Sequence, residues 1–150
     1  MPSARPSAKR LLTERLRAFP EILFALLFGS RGREGARPRA DSDWDVAVFV
    51  DEELSERERF DLRLRVVGEV EAAVAAAGES GEPDVVLLND APALLGHRAL
   101  QGTKLFVRDE VRYVRYFVRT LQRSFDEQYW RELDRRERRR RLEEGRFGRP

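Results

Sequence analysis

Apolar and polar positions recur along this chain in two periods, and each switch between them marks an element. Over residues 9–19, Leu11, Leu12, Leu16 and Phe19 fall at helical spacing, and Pro20 ends the run. Residues 21–28 are almost continuously apolar, which predicts a first strand buried on both faces. Polar residues hold until 45–51, a second strand in which Val46, Val48 and Val50 face one way and Asp43, Asp45 and Ala47 the other. Ser55, with Glu58 three positions on, reads as the N-cap of a helix that Gly78 stops after Ala77. Its core stripe is read as Phe60, Leu64, Val67, Val70, Val74 and Ala77. Residues 84–88 form a third strand; Pro92 opens a short helix holding Leu94, Leu95 and Leu100, and Gly102 closes it. Residues 103–107 are a brief edge strand. Asp109 starts a long helix whose stripe is read as Val114, Val118, Leu121 and Phe125, and a charged tail follows from about Leu133.

Strand, helix and strand in this order allow a right-handed crossover that sets the strand of Asp84 beside that of Asp45. The pattern predicts an α/β (α+β) protein with a small mixed sheet, helices mainly on one face, and a long C-terminal helix. A chain of 150 residues is large enough to bury one real core. Within that domain the segments are an N-terminal helix (1–20), a core (21–108), and a C-terminal helix with an arginine-rich tail (109–150).

Composition narrows the chemistry. Cysteine is absent and His97 is the one histidine, which excludes disulfides and thiolate metal sites and argues against zinc. The longest apolar run, residues 22–28, is too short to span a bilayer, and the first residues lack an apolar signal core, so the expectation is a cytoplasmic protein without membrane contact. The formal charge of +2 hides an asymmetry: residues 1–111 carry 16 basic and 20 acidic groups, residues 112–150 carry 13 and 7. The positive end is therefore a local feature suited to a partner or to nucleic acid. Lys9 and Lys104 are the only lysines, so coding bias explains part of the arginine excess.

The chemistry-bearing stretch is Gly29-Ser30, a loop rich in glycine and arginine, and Asp43-Trp44-Asp45. Acids two apart on a strand point to the same side. Like charges about 4 Å apart repel by roughly 4 kcal/mol at an effective dielectric near 20, which argues for a bound cation or a raised pKa. Oxygen-only ligands suit Mg2+, commonly held by one or two carboxylates together with substrate phosphates. A glycine turn lets backbone amides come close to such phosphates.

Gly29-Ser30, the loop, Asp43-Trp44-Asp45 and a third acid, Asp84, opening an apolar strand resemble the nucleotidyltransferase superfamily with the DNA polymerase β fold. The small size points to its minimal (MNT) branch, the antitoxins paired with HEPN-domain toxins, and residues 98–106 are similar to that branch as well. Twelve residues, 31–42, separate Gly29-Ser30 from the acid pair, a longer loop than the family usually carries. The resemblance implies Mg2+, two ions, held by Asp43, Asp45 and Asp84, with Asp84 also helping to activate the attacking hydroxyl. It implies ATP bound through Gly29 and Ser30, and Arg31 and Ser42 are counted with them as nucleotide contacts, Ser42 being read also as a local hydrogen-bonding cap of the loop. The implied reaction is AMP transfer from ATP to a tyrosine hydroxyl of a cognate HEPN toxin, silencing it within a hetero-oligomer.

Around that centre, Arg31, Arg33, Arg37 and Arg39 are read either as phosphate clamps or as solvated loop charges. Trp44, pointing away from the acids, is read as a core anchor. His97 is placed on the surface, and Lys104 within reach of the cleft. Tyr113, Tyr116, Phe117, Tyr129 and Trp130 exceed what one helix can bury, and read as an exposed aromatic cluster fit to dock a protein. Arg135, Arg136 and the run 138–141 form either a solvated tail or a nucleic-acid contact, the latter predicting steeply salt-dependent affinity. Three rivals to protein AMPylation stay open: a binding antitoxin that masks its partner without catalysis, nucleotide transfer to a small molecule such as an aminoglycoside, and nucleic-acid binding through the tail.

Overall fold

The computed structural model describes residues 4–33, 35 and 37–145. Ser7 caps α1 (Ala8–Arg17), its Oγ accepting from the Arg10 amide at 3.2 Å. β1 (Ile22–Phe28) and β2 (Trp44–Val50) are antiparallel neighbours at the centre of a four-stranded sheet. β3 (Pro83–Leu87) lies parallel to β2 at one edge, and β4 (Thr103–Val107) antiparallel to β1 at the other. The sheet is mixed, and β4 is an edge strand as its length foretold. Parallel neighbours require a crossover, and α2 (Glu56–Ala76) supplies it between β2 and β3. Ser55 caps α2 by accepting from the Glu58 amide at 3.2 Å while donating to Glu58 Oε1 at 3.1 Å. α3 (Ala93–Leu100) and α4 (Glu110–Glu143) complete the chain, α4 capped by Asp109.

Strand periodicity sorts the core in two. Val46, Val48 and Val50 face α1 and α2, joined by Ile22, Ala25 and Leu27 from β1. Phe24, Leu26 and Phe28 face the opposite way with Ala47 and Phe49, toward α3 and the start of α4. Helices thus cover both faces rather than mainly one, because β1 and β2 are apolar on both sides and each side demands cover. α1 and the turn after it are bound into this body: Leu12 and Leu16 are fully buried, Arg15 pairs with Glu69 of α2 at 2.9 Å, and Arg108 Nη1 donates to Phe19 O at 2.6 Å and Ile22 O at 3.1 Å.

On α2 the stripe read in the sequence holds in part, with Val70 and Val74 buried and Val67 and Ala77 packed against the core, whereas α4 buries a different stripe. On α2 the buried row is Leu62, Val66, Val70, Ala73 and Val74, whereas Phe60 and Leu64 stay 59 % and 56 % exposed. α2 carries two apolar rows, and it turns the row through Leu62, Val66 and Val70 onto the core. On α4 the buried positions are Tyr113, Thr120 and Ser124, and Val114, Val118 and Phe125 face solvent. The aromatic cluster splits accordingly. Phe24 stacks on Phe49 at 5.0 Å and meets the edge of Tyr113 at 5.1 Å, while Tyr116 leans on both rings at 5.7 and 5.4 Å. Tyr129 and Trp130 alone of that cluster are strongly exposed.

Gly96 is why α4 rolls this way. A Cβ there would stand 2.3 Å from Tyr116 Oη and 3.1 Å from Thr120 Cγ2, so α3 and α4 meet on a spot without a side chain. Beyond Ser124, α4 runs on to Glu143, so the charged stretch expected to be a tail is helix as far as the described residues reach; 146–150 lie outside them. Pairs at helical spacing, Arg136–Glu132, Arg138–Asp134 and Arg141–Glu137, line it.

Candidate active site

β1 leaves the sheet at Phe28, which sits across from Asp45 in the antiparallel register. The next residue, Gly29, has φ +67° and opens a 3-10 turn through Arg31. A Cβ at Gly29 would fall 2.1 Å from Asp45 Oδ2. The turn therefore lies directly against the carboxylate. On the other side of β2, Asp45 is in register with Asp84 in the parallel pair. Asp43 lies two residues upstream, just before β2, close enough for its charge to act on Asp45.

The three predicted acids thus come from two adjacent strand ends, beside one glycine turn. Asp43 and Asp84 are exposed and Asp45 is half-buried. The Asp45 carboxyl is pushed above the usual carboxylate range, first by burial, then by the charges of Asp84 and Asp43 and a hydrogen bond with Asp84, with Arg98 pulling the opposite way. Trp44 faces away, as read, 5 % exposed in the α2-side core with Nε1 donating to Ser80 O at 2.9 Å.

The loop between turn and acids is held by Arg31. Its Nε donates to Ser42 O at 3.0 Å, and Nη2 donates to Ala40 O at 3.1 Å and Ser80 O at 3.0 Å, with a longer contact to Arg39 O at 3.3 Å. The guanidinium also lies 4.0 Å above the Trp44 ring. Ser80 Oγ closes the circuit by donating to Ala40 O at 2.6 Å. Arg31 and Ser42, read as nucleotide contacts, are thus engaged in closing the loop, while Ser30 is exposed on the turn. Lysine keeps the charge of arginine but not its fork. Arg31→Lys and Arg31→Ala are therefore both expected to speed amide hydrogen exchange over residues 39–45 and 79–82 by about tenfold or more in nucleotide-free protein, since bonds from a charged donor contribute about 1.5–3 kcal/mol. Full protection in the lysine variant would return Arg31 to the role of a charge aimed at phosphate.

Arg98, which the sequence reading left out of the site, lies near it. With Arg33, Phe28, Gly29, Gln101 and Gly102 it lines a cleft of about 70 Å3 behind the turn. Its signal was weak: one arginine on a short helix, inside a segment noted only as family-like. Larger grooves lie beside α4 and between α1 and α2, away from the acids. Arg37 and Arg39 are exposed on the loop, and His97 is half-buried on α3. Lys104 sends Nζ to 4.5 Å from the Tyr113 ring, toward the base of α4.

Among the described residues no three acids or histidines are drawn close enough to enclose a metal ion by themselves. The donor set nonetheless fits a hard cation. All three side chains offer oxygens, the charges of Asp43 and Asp84 act on Asp45, and Mg2+ is commonly held by one or two carboxylates together with substrate phosphates rather than by an all-protein cage. No helix among the described residues is long and apolar enough to cross a membrane.

Comparison with known proteins bears on the fold and the family. No curated protein sequence matches the chain. Among solved structures it is similar to a chain of the toxin–antitoxin MntA–HpeT carrying a double Asp-to-Glu substitution, with TM-score 0.63, 21% identity, and coverage of 86% of this chain and 96% of that one. A toxin–antitoxin crystal structure with AMP-PNP gives TM-score 0.62 at 22% identity over 86% and 96% of the two chains. A tri-AMPylated Shewanella oneidensis HEPN toxin in complex with MNT antitoxin gives 0.59 at 20% over 87% and 94%. At these identities the likeness shows the fold. The sequence model described as "Polymerase beta, Nucleotidyltransferase" matches residues 11–111, more than half of the chain, which therefore belongs to the polymerase β nucleotidyltransferase family.

Proposed function

We propose that this protein transfers AMP from ATP to a tyrosine hydroxyl of a cognate HEPN toxin, acting as its antitoxin. The observation that carries the reading is the pairing of Asp45 with Asp84 across adjacent strands, beside a turn at Gly29 where only a missing Cβ leaves room for the Asp45 carboxylate. In the reaction the tyrosine oxygen attacks the α-phosphorus, a new phosphorus–oxygen bond forms, the bond to the bridging oxygen breaks, and pyrophosphate leaves. Such transfers are accelerated chiefly by positioning and by charge stabilisation. Asp43, Asp45 and Asp84 would hold Mg2+, which neutralises phosphate charge when bound. Asp84, exposed at the start of β3, would take the proton of the incoming hydroxyl. Gly29 and Ser30 offer the turn to the phosphates, and Arg33 and Arg98 line the cleft behind it, where the charge of departing pyrophosphate would be met.

The AMP-PNP complex and the tri-AMPylated HEPN toxin among the structural relatives support ATP as donor and a HEPN protein as acceptor. The test is direct. Purified protein is incubated with ATP labelled at the α-phosphorus, Mg2+ and the HEPN product of the adjacent gene. Label on the partner that disappears with Asp43→Ala and with Asp45→Ala is the expected result. Silencing of the toxin without label, unchanged in both variants, would replace catalysis by masking.

A further inference from the structure

The face of α4 that the core leaves open has a pattern of its own. Val111, Val114, Val118, Leu121 and Phe125 follow at steps of three, four, three and four, the spacing of a coiled-coil seam. Val111, Val114, Val118 and Phe125 are 60 %, 53 %, 47 % and 60 % exposed. A groove of about 660 Å3 adjoins the seam, with Phe49, Tyr116, Val114 and Val118 in its lining and Arg112, Arg115 and Arg119 among its polar residues. Arg112 is spent on Glu52 at 2.9 Å, whereas Arg115 and Arg119 form no salt bridge among the described residues.

A helix already satisfied on its sheet-facing side does not need a second apolar row, and an exposed row of this length marks a contact surface. We propose that this face of α4 docks an α-helix of the partner protein, one that presents apolar residues at the same spacing and carboxylates toward Arg115 and Arg119. Charge decides against a second copy as occupant: α4 packed on α4 sets the same arginines along both flanks, and like charges there oppose pairing. The surface chemistry stands by itself; only the identification of the partner as the HEPN toxin rests on the proposed function.

Two synthetic helical peptides provide the probe, both with leucine at every seam position, one flanked by glutamate and the other by lysine. Titrated against the full chain and followed by fluorescence anisotropy, the glutamate peptide is expected to bind at least about tenfold more tightly than the lysine peptide. Val118→Asp should weaken it by a further factor of about ten or more, and Arg115→Glu with Arg119→Glu should reverse the preference without touching the seam. Equal binding of the two peptides overturns the proposal, as does self-association in sedimentation that Val118→Asp removes. In the second arm, Val118→Asp is expected to lose co-purification of the HEPN protein while retaining Mg2+-dependent nucleotide binding. A HEPN protein that binds the variant undiminished overturns this face as its dock and leaves the transfer chemistry untouched.

Discussion

Replacing Asp45 with asparagine is expected to abolish nucleotide transfer and, without divalent ions, to make the protein more stable at neutral pH. Both effects have one origin. Burial raises the Asp45 carboxyl first, and the charges of Asp84 and Asp43 raise it further. A carboxyl that holds its proton more tightly folded than unfolded contributes stability at low pH, and that contribution is lost as pH rises through the window between the ordinary and the raised value. At neutral pH the native protein therefore carries an unfavourable charge that asparagine lacks. Melting curves between about pH 4 and about pH 8 should place the variant above wild type at the neutral end, with the two converging toward acid, where Asp45 is protonated in either state. Adding Mg2+ should raise wild type and leave the variant unmoved. Transfer should fall by about a thousandfold or more, since the lost charge stabilisation is on the order of 4 kcal/mol. A variant that melts lower at neutral pH without divalent ions would remove Asp45 from the strained position assigned to it.

This arrangement was open to sequence reading because strand geometry is strict. Alternation predicted one side for Asp43 and Asp45, and a strand–helix–strand order with one crossover hand left few places for Asp84. In the fold Asp84 stands in register with Asp45. The cap at Ser55 and the helix start at Asp109 were legible for the same reason, being local. Helix faces were legible only in part, for Val67, Val70, Val74 and Ala77 of α2 but not for α4. α2 and α4 each carry two apolar rows, and periodicity identifies rows without saying which one meets the sheet. On α4 the inward row includes Thr120 and Ser124, chosen by the close approach at Gly96 and invisible to any ranking by hydrophobicity. Arg31 escaped for another reason: its partners Ala40, Ser42 and Ser80 are carbonyls, one of them far along the chain, and backbone acceptors leave no trace in side-chain identity. The valine row read as core on α4 was real, and its exposure is what turns a misassigned stripe into a surface with a use.

Gly29→Ala should be costly both to stability and to transfer, and the reason lies in two independent demands on one residue. Its φ of +67° is strained for any residue with a Cβ, and that Cβ would stand 2.1 Å from Asp45 Oδ2 and 3.1 Å from Asp45 Cγ. Backbone strain of this kind costs about 1–3 kcal/mol. The clash adds a displacement of the carboxylate itself, and shifts of about 1 Å in positioned groups reduce rates by roughly a hundredfold. Gly35→Ala separates the two demands, because Gly35 has φ +72° in the same loop with nothing within 4 Å of an added Cβ. Denaturant unfolding should register a loss in both variants, while transfer to the labelled partner should fail in Gly29→Ala and persist in Gly35→Ala. Equal activity in the two would mean that the turn does not set the position of Asp45, and the close fit between glycine and carboxylate would then be packing rather than part of the chemistry.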